Sequence, residues 1–362
     1  MHHSDLQAHD IFHNLLESRA TPVAHIVLNR PESLNALSRE MMDRLADIML
    51  EYAQNPKVTA VLISGRGTRA FCAGGDLRAV FVARAKGDFP FLSTLFAREY
   101  TYNLRLHTLQ KPHIALIHGI VMGGGVGASV HGSHRVLCET TTLAMPETGI
   151  GYFPDVGVSN IFHKAPGKIG LYLALTGARI SAADALYAGF GTHFVPQSCF
   201  AELERALLKA APSTLEQTDA VLKPFCEASP ASQLEEHQDL IDDAFTGTSV
   251  HEILENLRAN PHPFCQETYA LLMTRSPISL LVTHEYVRRV ESMSFEETMR
   301  LEYLMSQHFV RGADFIEGIR AAVIDKDRSP QWQHAAIQDV TEKEVLAYFD
   351  ATPFETNLPF PS

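Results

Sequence analysis

Three consecutive glycines, Gly123-Gly124-Gly125, follow an apolar run that Pro112 opens, His113-Ile114-Ala115-Leu116-Ile117-His118. Such a run reads as a buried strand, and glycine permits dihedrals and backbone approaches closed to other residues. The triplet predicts a tight turn behind a strand, with residues 126–131 helical and N–H groups free to aim at one spot. An earlier glycine pair, in Phe71-Cys72-Ala73-Gly74-Gly75-Asp76, sits where a strand ends and a helix starts, and exposes the Gly75 N–H. Two N–H donors from separate turns are the parts of an oxyanion hole. The plain alternative is close packing of helix on sheet, which also selects glycine. Beyond the triplet come Met145-Pro146-Glu147-Thr148 and Phe153-Pro154-Asp155-Val156-Gly157, two carboxylates eight positions apart. Carboxylates beside proline or between apolar residues are costly to bury without a purpose.

Strands, helices and glycine turns alternate through the first part of the chain. Residues 23–28 read as a strand that Asn29-Arg30-Pro31 ends. Residues 38–52 follow as an amphipathic helix with Met41, Leu45, Ile48, Met49 and Tyr52 on one face. Residues 58–64, 135–138, 143–145 and 193–195 read as further strands. This pattern indicates an α/β layer fold. Ser181-Ala182-Ala183-Asp184 opens a short helix closed by Gly189. Past residue 200 strand signals fade, and Ser249-Val250-His251-Glu252 and Ser294-Phe295-Glu296-Glu297 are capping boxes that each open a helix. The expected organisation is a core over residues 1–200 followed by a mainly helical region over 201–362.

A formal charge of −12 argues against a nucleic-acid partner, which normally needs a basic face. No apolar run is long enough for a membrane span. Five cysteines, odd in number and without C-x-x-C spacing, read as reduced thiols, neither a disulfide framework nor a zinc site. None of the 18 histidines falls in a metal-ligand spacing, so no metal is expected. Met1-His2-His3-Ser4-Asp5 carries no leader pattern, and the expected compartment is cytoplasmic.

The two glycine turns followed by Pro146-Glu147-Thr148 resemble the enoyl-CoA hydratase/isomerase (crotonase) superfamily. Leu28-Asn29-Arg30-Pro31 and Leu34-Asn35-Ala36-Leu37 extend that resemblance toward the N-terminus. Within the superfamily the chain is most similar to the 3-hydroxyisobutyryl-CoA hydrolase family. The segments that carry this are His118-Gly119-Ile120, Val130-His131-Gly132, the two carboxylate segments and Leu175-Thr176-Gly177. It runs on through Ser276-Pro277-Ile278-Ser279-Leu280, Glu302-Tyr303-Leu304-Met305-Ser306-Gln307 and Asp314-Phe315-Ile316-Glu317-Gly318-Ile319-Arg320, and ends on Asp325-Lys326-Asp327 with Pro330 and Trp332.

The resemblance implies a crotonase-type ββα spiral with a helical C-terminal region, and hydrolysis of a short acyl-CoA thioester as in valine breakdown. It implies Gly75 and Gly124 as oxyanion donors, Glu147 as the catalytic glutamate and Asp155 as its acidic partner. It implies Glu99 as a substrate contact, and Ala36, Leu37, Ala73 and Gly74 as the strip along which coenzyme A runs. No cofactor is implied, coenzyme A being part of the substrate; the implied partner is an acyl-CoA, and the implied assembly a homo-oligomer. Hydratases of the superfamily place a second glutamate two residues beyond the triplet, where this chain has Gly127. Adding water across C=C needs a proton donor and a base, whereas thioester hydrolysis tolerates the loss because the thiolate is a good leaving group. A hydratase or isomerase, and a silent acyl-CoA-binding protein, are the competing readings.

Overall fold

The computed structural model describes residues 15–18 and 20–351; the segment read above for a leader lies outside them. The chain forms two compact units, neither of them one continuous stretch. The first takes residues up to 75, then 101–143 and 180–231; the second takes 76–100, 144–179 and the chain from 232 onward.

The first unit carries the sheets. Its strands are β1 (Leu15–Ser18), β2 (Val23–Leu28), β3 (Ala60–Gly65), β4 (Ala70–Cys72), β5 (His113–Ile117), β6 (Ile120–Met122), β7 (His134–Leu137), β8 (Thr142–Ala144), β9 (Ile180–Ser181) and β10 (His193–Phe194). A six-stranded sheet runs β1-β2-β3-β5-β7-β10 and a four-stranded one β4-β6-β8-β9. In the larger sheet β1 is antiparallel to β2, and every other pair is parallel. Strand β2 spans the expected residues with all six buried, as in a parallel strand covered on both faces. The strand expected from residue 58 starts at Ala60, because Val58 closes a turn onto Asn55 O and Thr59 donates to Pro22 O.

Alternate residues of the larger sheet, Val23, Ala60, Leu62, Ile114, Leu116 and Val136, make one core face. Leu203 and Leu207 of the helix Phe200–Ala210, with Leu222, pack on it. Each fully buried leucine stabilises the unit by roughly 1.5–3 kcal/mol. The helix Arg39–Gln54 follows its expected bounds: Ser38 caps it by accepting from Met41 N, and the five apolar residues of its face are buried. Such a cap is worth about 1 kcal/mol.

One helix differs from expectation. The segment expected helical over 126–131 is instead a single turn, Gly124–Gly127, followed by tight turns. The Ser129 hydroxyl donates to Gly125 O, while Ser129 N bonds Val126 O. Side-chain competition for that carbonyl explains why the helix stops there.

The second unit is helical, and among the described residues no strand lies beyond β10. Its helices include Pro277–Val290, Phe295–Phe309 and Ala313–Ile319. The capping box at Ser294 is complete, with both reciprocal bonds to Glu297. At Ser249 only half of it forms, because the Glu252 side chain turns to Thr248. Ser181 and Asp184 of the first unit form a full box. No described helix is long and apolar enough to cross a membrane.

Candidate active site

The candidate donors belong to the first unit. Gly123 takes φ 50° at the start of the one-turn helix, a conformation that suits glycine alone. A Cβ on Gly125 would strike Cys72 O at 2.2 Å, so the turn lies directly on β4. The Gly74 Cβ position is 3.6 Å from Gly124 N, which brings the two glycine turns side by side. Among the described residues neither the Gly75 nor the Gly124 N–H has an acceptor in the protein. A Cβ on Gly75 would meet nothing within 4 Å, so packing does not require glycine there. A helix of one turn has little macrodipole, and what the site offers at Gly124 is an orphan donor rather than a dipole.

The strip expected to carry coenzyme A is assembled beside these donors. Leu37 pairs with Gly75 in a parallel bridge, Leu37 N donates to Gly74 O and Ala73 N donates to Leu34 O. Asn35 stitches the loop together: its side chain donates to Arg66 O and Ala70 O and accepts from Arg30 N. Ala36 N closes a turn onto Ser33 O, and Arg30 donates to Ala36 O. Leu37 is buried in the core, so it frames the strip rather than exposing a side chain on it.

The candidate carboxylates, Glu99, Glu147 and Asp155, belong to the second unit and are all buried. Glu147 opens the short turn Glu147–Ile150 after Pro146. That turn is held from several sides: Thr148 O accepts from Ser276 N, and the Thr148 hydroxyl donates to Leu175 O. The helix Ala313–Ile319 packs on it so closely that a Cβ on Gly151 or Gly318 would meet backbone at 2.3 or 2.2 Å. Within this fixed turn Glu147 Oε2 is buried with no hydrogen-bond partner. Asp155 begins a sharp turn in which Val156 takes φ 56° and Gly157 φ 71°. Its carboxylate accepts from the Tyr100 hydroxyl at 2.7 Å, and Tyr100 and Tyr152 oxygens lie 3.2 Å apart.

Burial dominates the electrostatics, because a low-dielectric surrounding disfavours the charged carboxylate. It pushes Asp155 up to about 7, against hydrogen bonds from Tyr100 and Tyr152 that favour the ionised form. Burial, with Asp155 adding repulsion, pushes Glu99 up to about 8. Glu147 is raised well above the usual carboxylate range by burial and by Asp155. A fourth carboxylate joins them: Glu302, fully buried on the helix Phe295–Phe309, is raised by burial and by Asp155. Burial and mutual repulsion thus raise all four carboxyls above the usual range. Such a group can attack, accept or return a proton.

Sequence reasoning did not assign roles to Tyr100, Tyr152, Tyr286 or Glu302. The Glu302 segment carried the resemblance, but nothing in a local pattern marks a side chain whose partner lies far along the chain. Among the described residues no group of three or more His, Cys, Asp or Glu side chains is arranged to hold a metal ion.

Residues 23–349 match the family described as enoyl-CoA hydratase/isomerase. The mitochondrial 3-hydroxyisobutyryl-CoA hydrolase of Rattus norvegicus is 40% identical over 340 residues, covering 92% of this chain and 88% of the relative. Its Homo sapiens counterpart is 39% identical over 355 residues, covering 96% and 92%. Among solved structures, a carnitinyl-CoA dehydratase from Mycobacterium thermoresistibile superposes with a TM-score of 0.90 at 39% identity, covering 96% of this chain and 99% of that one. An enoyl-CoA hydratase from Rhodobacter sphaeroides 2.4.1 superposes at 0.87 with 36% identity, covering 94% and 98%.

Proposed function

This chain belongs to the enoyl-CoA hydratase/isomerase family, and we propose that within it the protein hydrolyses a short 3-hydroxyacyl-CoA thioester, 3-hydroxyisobutyryl-CoA above others. The observation that carries the reading is Glu147, a buried carboxylate on a fixed turn with one oxygen left unpartnered. The hydrolase names of the rat and human relatives support the same substrate.

In the proposed reaction Glu147 attacks the thioester carbonyl carbon, and the oxygen that becomes negative is met by the Gly75 and Gly124 N–H groups. The C–S bond breaks, coenzyme A leaves as thiolate, and the acyl group stays on Glu147 as a mixed anhydride. Water then cleaves the anhydride while Asp155 takes its proton, giving 3-hydroxyisobutyrate and a free Glu147. Glu99 contacts the acyl group. The nucleotide and pantetheine run along Ala36-Leu37 and Ala73-Gly74. Where water opens the anhydride at the Glu147 carbonyl, turnover in oxygen-18 water puts label into the Glu147 side chain; water attacking the thioester directly labels the product acid alone.

The likeness to a carnitinyl-CoA dehydratase and an enoyl-CoA hydratase favours a second reading, hydration of an enoyl-CoA. Gly127 speaks against it, since that position offers no side chain to supply the second acid. Thiol release from 3-hydroxyisobutyryl-CoA, compared with loss of enoyl absorbance from methacrylyl-CoA, tests the choice. Fast loss of absorbance with no thiol would overturn the hydrolase. We further propose a homo-oligomer, which sedimentation would test. Cys138, Cys199, Cys226 and Cys265 carry no disulfide, which fits a reducing compartment. We propose the cytoplasm, and cell fractionation that finds the protein in mitochondria, as the relatives' names have it, would correct this.

A further inference from the structure

Glu302 carries no role in the reaction above, yet it is fully buried and aimed at the turn that bears Asp155. Both of its oxygens accept from the Gly157 N–H, each at 3.0 Å. The Tyr286 hydroxyl donates to Glu302 Oε1 and lies 3.0 Å from Ser159 Oγ, two residues past Gly157. Between Asp155 and Gly157 stands Val156 at φ 56°. For a β-branched residue this left-handed conformation is a genuine outlier and persists only where the surroundings impose it. Phe295 and Met299, two turns and one turn before Glu302 on its helix, fill the space beside Gly157, where a Cβ would meet Phe295 at 2.5 Å. The helix Phe295–Phe309 thus grips the turn by packing and by one carboxylate.

We propose that Glu302 is a positioning residue for Asp155: by holding the Gly157 N–H it imposes the left-handed Val156 and aims the Asp155 carboxylate. Burying a carboxylate next to Asp155 costs stability, which a packing role alone would not justify. A well-filled apolar residue would serve packing better. What a carboxylate adds is two acceptors fixed by Tyr286, the kind of support that keeps a reacting group within a fraction of an ångström of its productive place. A shift of about 1 Å in such a group costs on the order of a hundredfold in rate. This inference rests on the hydrolase reading, in which Asp155 handles water.

The test is a cycle of Glu302→Gln, Asp155→Asn and the double variant, each measured by thiol release in single turnover. Glu302→Gln should lower the rate roughly tenfold to a hundredfold with KM little changed. It should also speed amide exchange at Gly157. In the Asp155→Asn background the same change should cost almost nothing, because the group it positions is gone. Tyr286→Phe leaves Glu302 in place with a looser hold, and should give a smaller loss in the same direction even where the glutamine variant fails to fold. A folded Glu302→Gln protein at wild-type rate would overturn the proposal, and so would a loss that persists undiminished without Asp155. Wild-type protein that releases no thiol is a different failure, that of the hydrolase reading itself.

Discussion

Gly125→Ala separates tight packing from oxyanion binding at the glycine triplet, because its two consequences have different sizes. The new Cβ would stand 2.2 Å from Cys72 O and 2.8 Å from Cys72 Cβ, where real contacts under 3.0 Å essentially never occur. The obstacle is backbone and cannot swing aside, so the turn must retreat from β4 by about 0.8 Å. Overpacking of this kind costs about 1–3 kcal/mol, and alanine in a helical turn returns about 1 kcal/mol. The net loss, roughly 0–2 kcal/mol, lowers the melting temperature by less than about 8 °C in a domain this large. The same retreat carries the neighbouring Gly124 N–H with it. A donor displaced by nearly 1 Å loses most of its effect, so kcat should fall on the order of a hundredfold. The assay is thiol release under saturating acyl-CoA, with a thermal melt on the same sample. A folded variant whose kcat stays near wild type would refute the assignment of Gly124, whatever happens to its stability.

Gly75→Ala should leave the melting temperature unchanged, since its Cβ meets open space, and should still depress kcat/KM by crowding the ligand; full activity would show that nothing approaches there. Glu147→Gln should cost at least ~10²-fold in kcat with coenzyme A binding retained, checked by kinetics and calorimetry. Tyr100→Phe removes the 2.7 Å donor that favours ionised Asp155, so the acid limb of the pH–rate profile should move to higher pH. The folded protein holds protons on Asp155 and Glu99 that the unfolded chain releases near its ordinary carboxylate range. Their stabilising contribution is therefore complete below about pH 4, and is lost as pH rises toward about 7 for Asp155 and about 8 for Glu99. Melting temperatures should fall between pH 5 and pH 8.5, less steeply in Asp155→Asn.

What could be read from the sequence was whatever a short window encodes. Residues 23–28 are an unbroken apolar run, and Ser38 before a 3.6-period face marks a helix start, so β2 and the helix Arg39–Gln54 emerged nearly residue for residue. Both glycine turns announced themselves because glycine is chosen for reasons of geometry. The stop at Gly127 was not legible, since it depends on how the Ser129 hydroxyl orients. Neither was Val156: a β-branched residue argues against a left-handed turn, and the contacts around it, Glu302 on the Gly157 N–H among them, come from far along the chain. Glu302 itself looks in sequence like any acidic residue on a helix, because its significance is a contact across 145 positions.

The interleaving of the two units has a consequence for how the polypeptide is made. Strands β2, β3, β5 and β7 are complete by residue 137, yet one face of their sheet is covered by Leu203, Leu207 and Leu222. During synthesis at roughly 5–20 residues per second, that apolar face waits for several seconds or more before its cover leaves the ribosome. The nascent chain meanwhile presents paired, apolar strands with no lid, the condition under which chains stick to one another. A ribosome-bound chain released at residue 200 would lack all three leucines and should be captured by chaperones or aggregate, while one released after residue 231 carries everything the first unit needs to close.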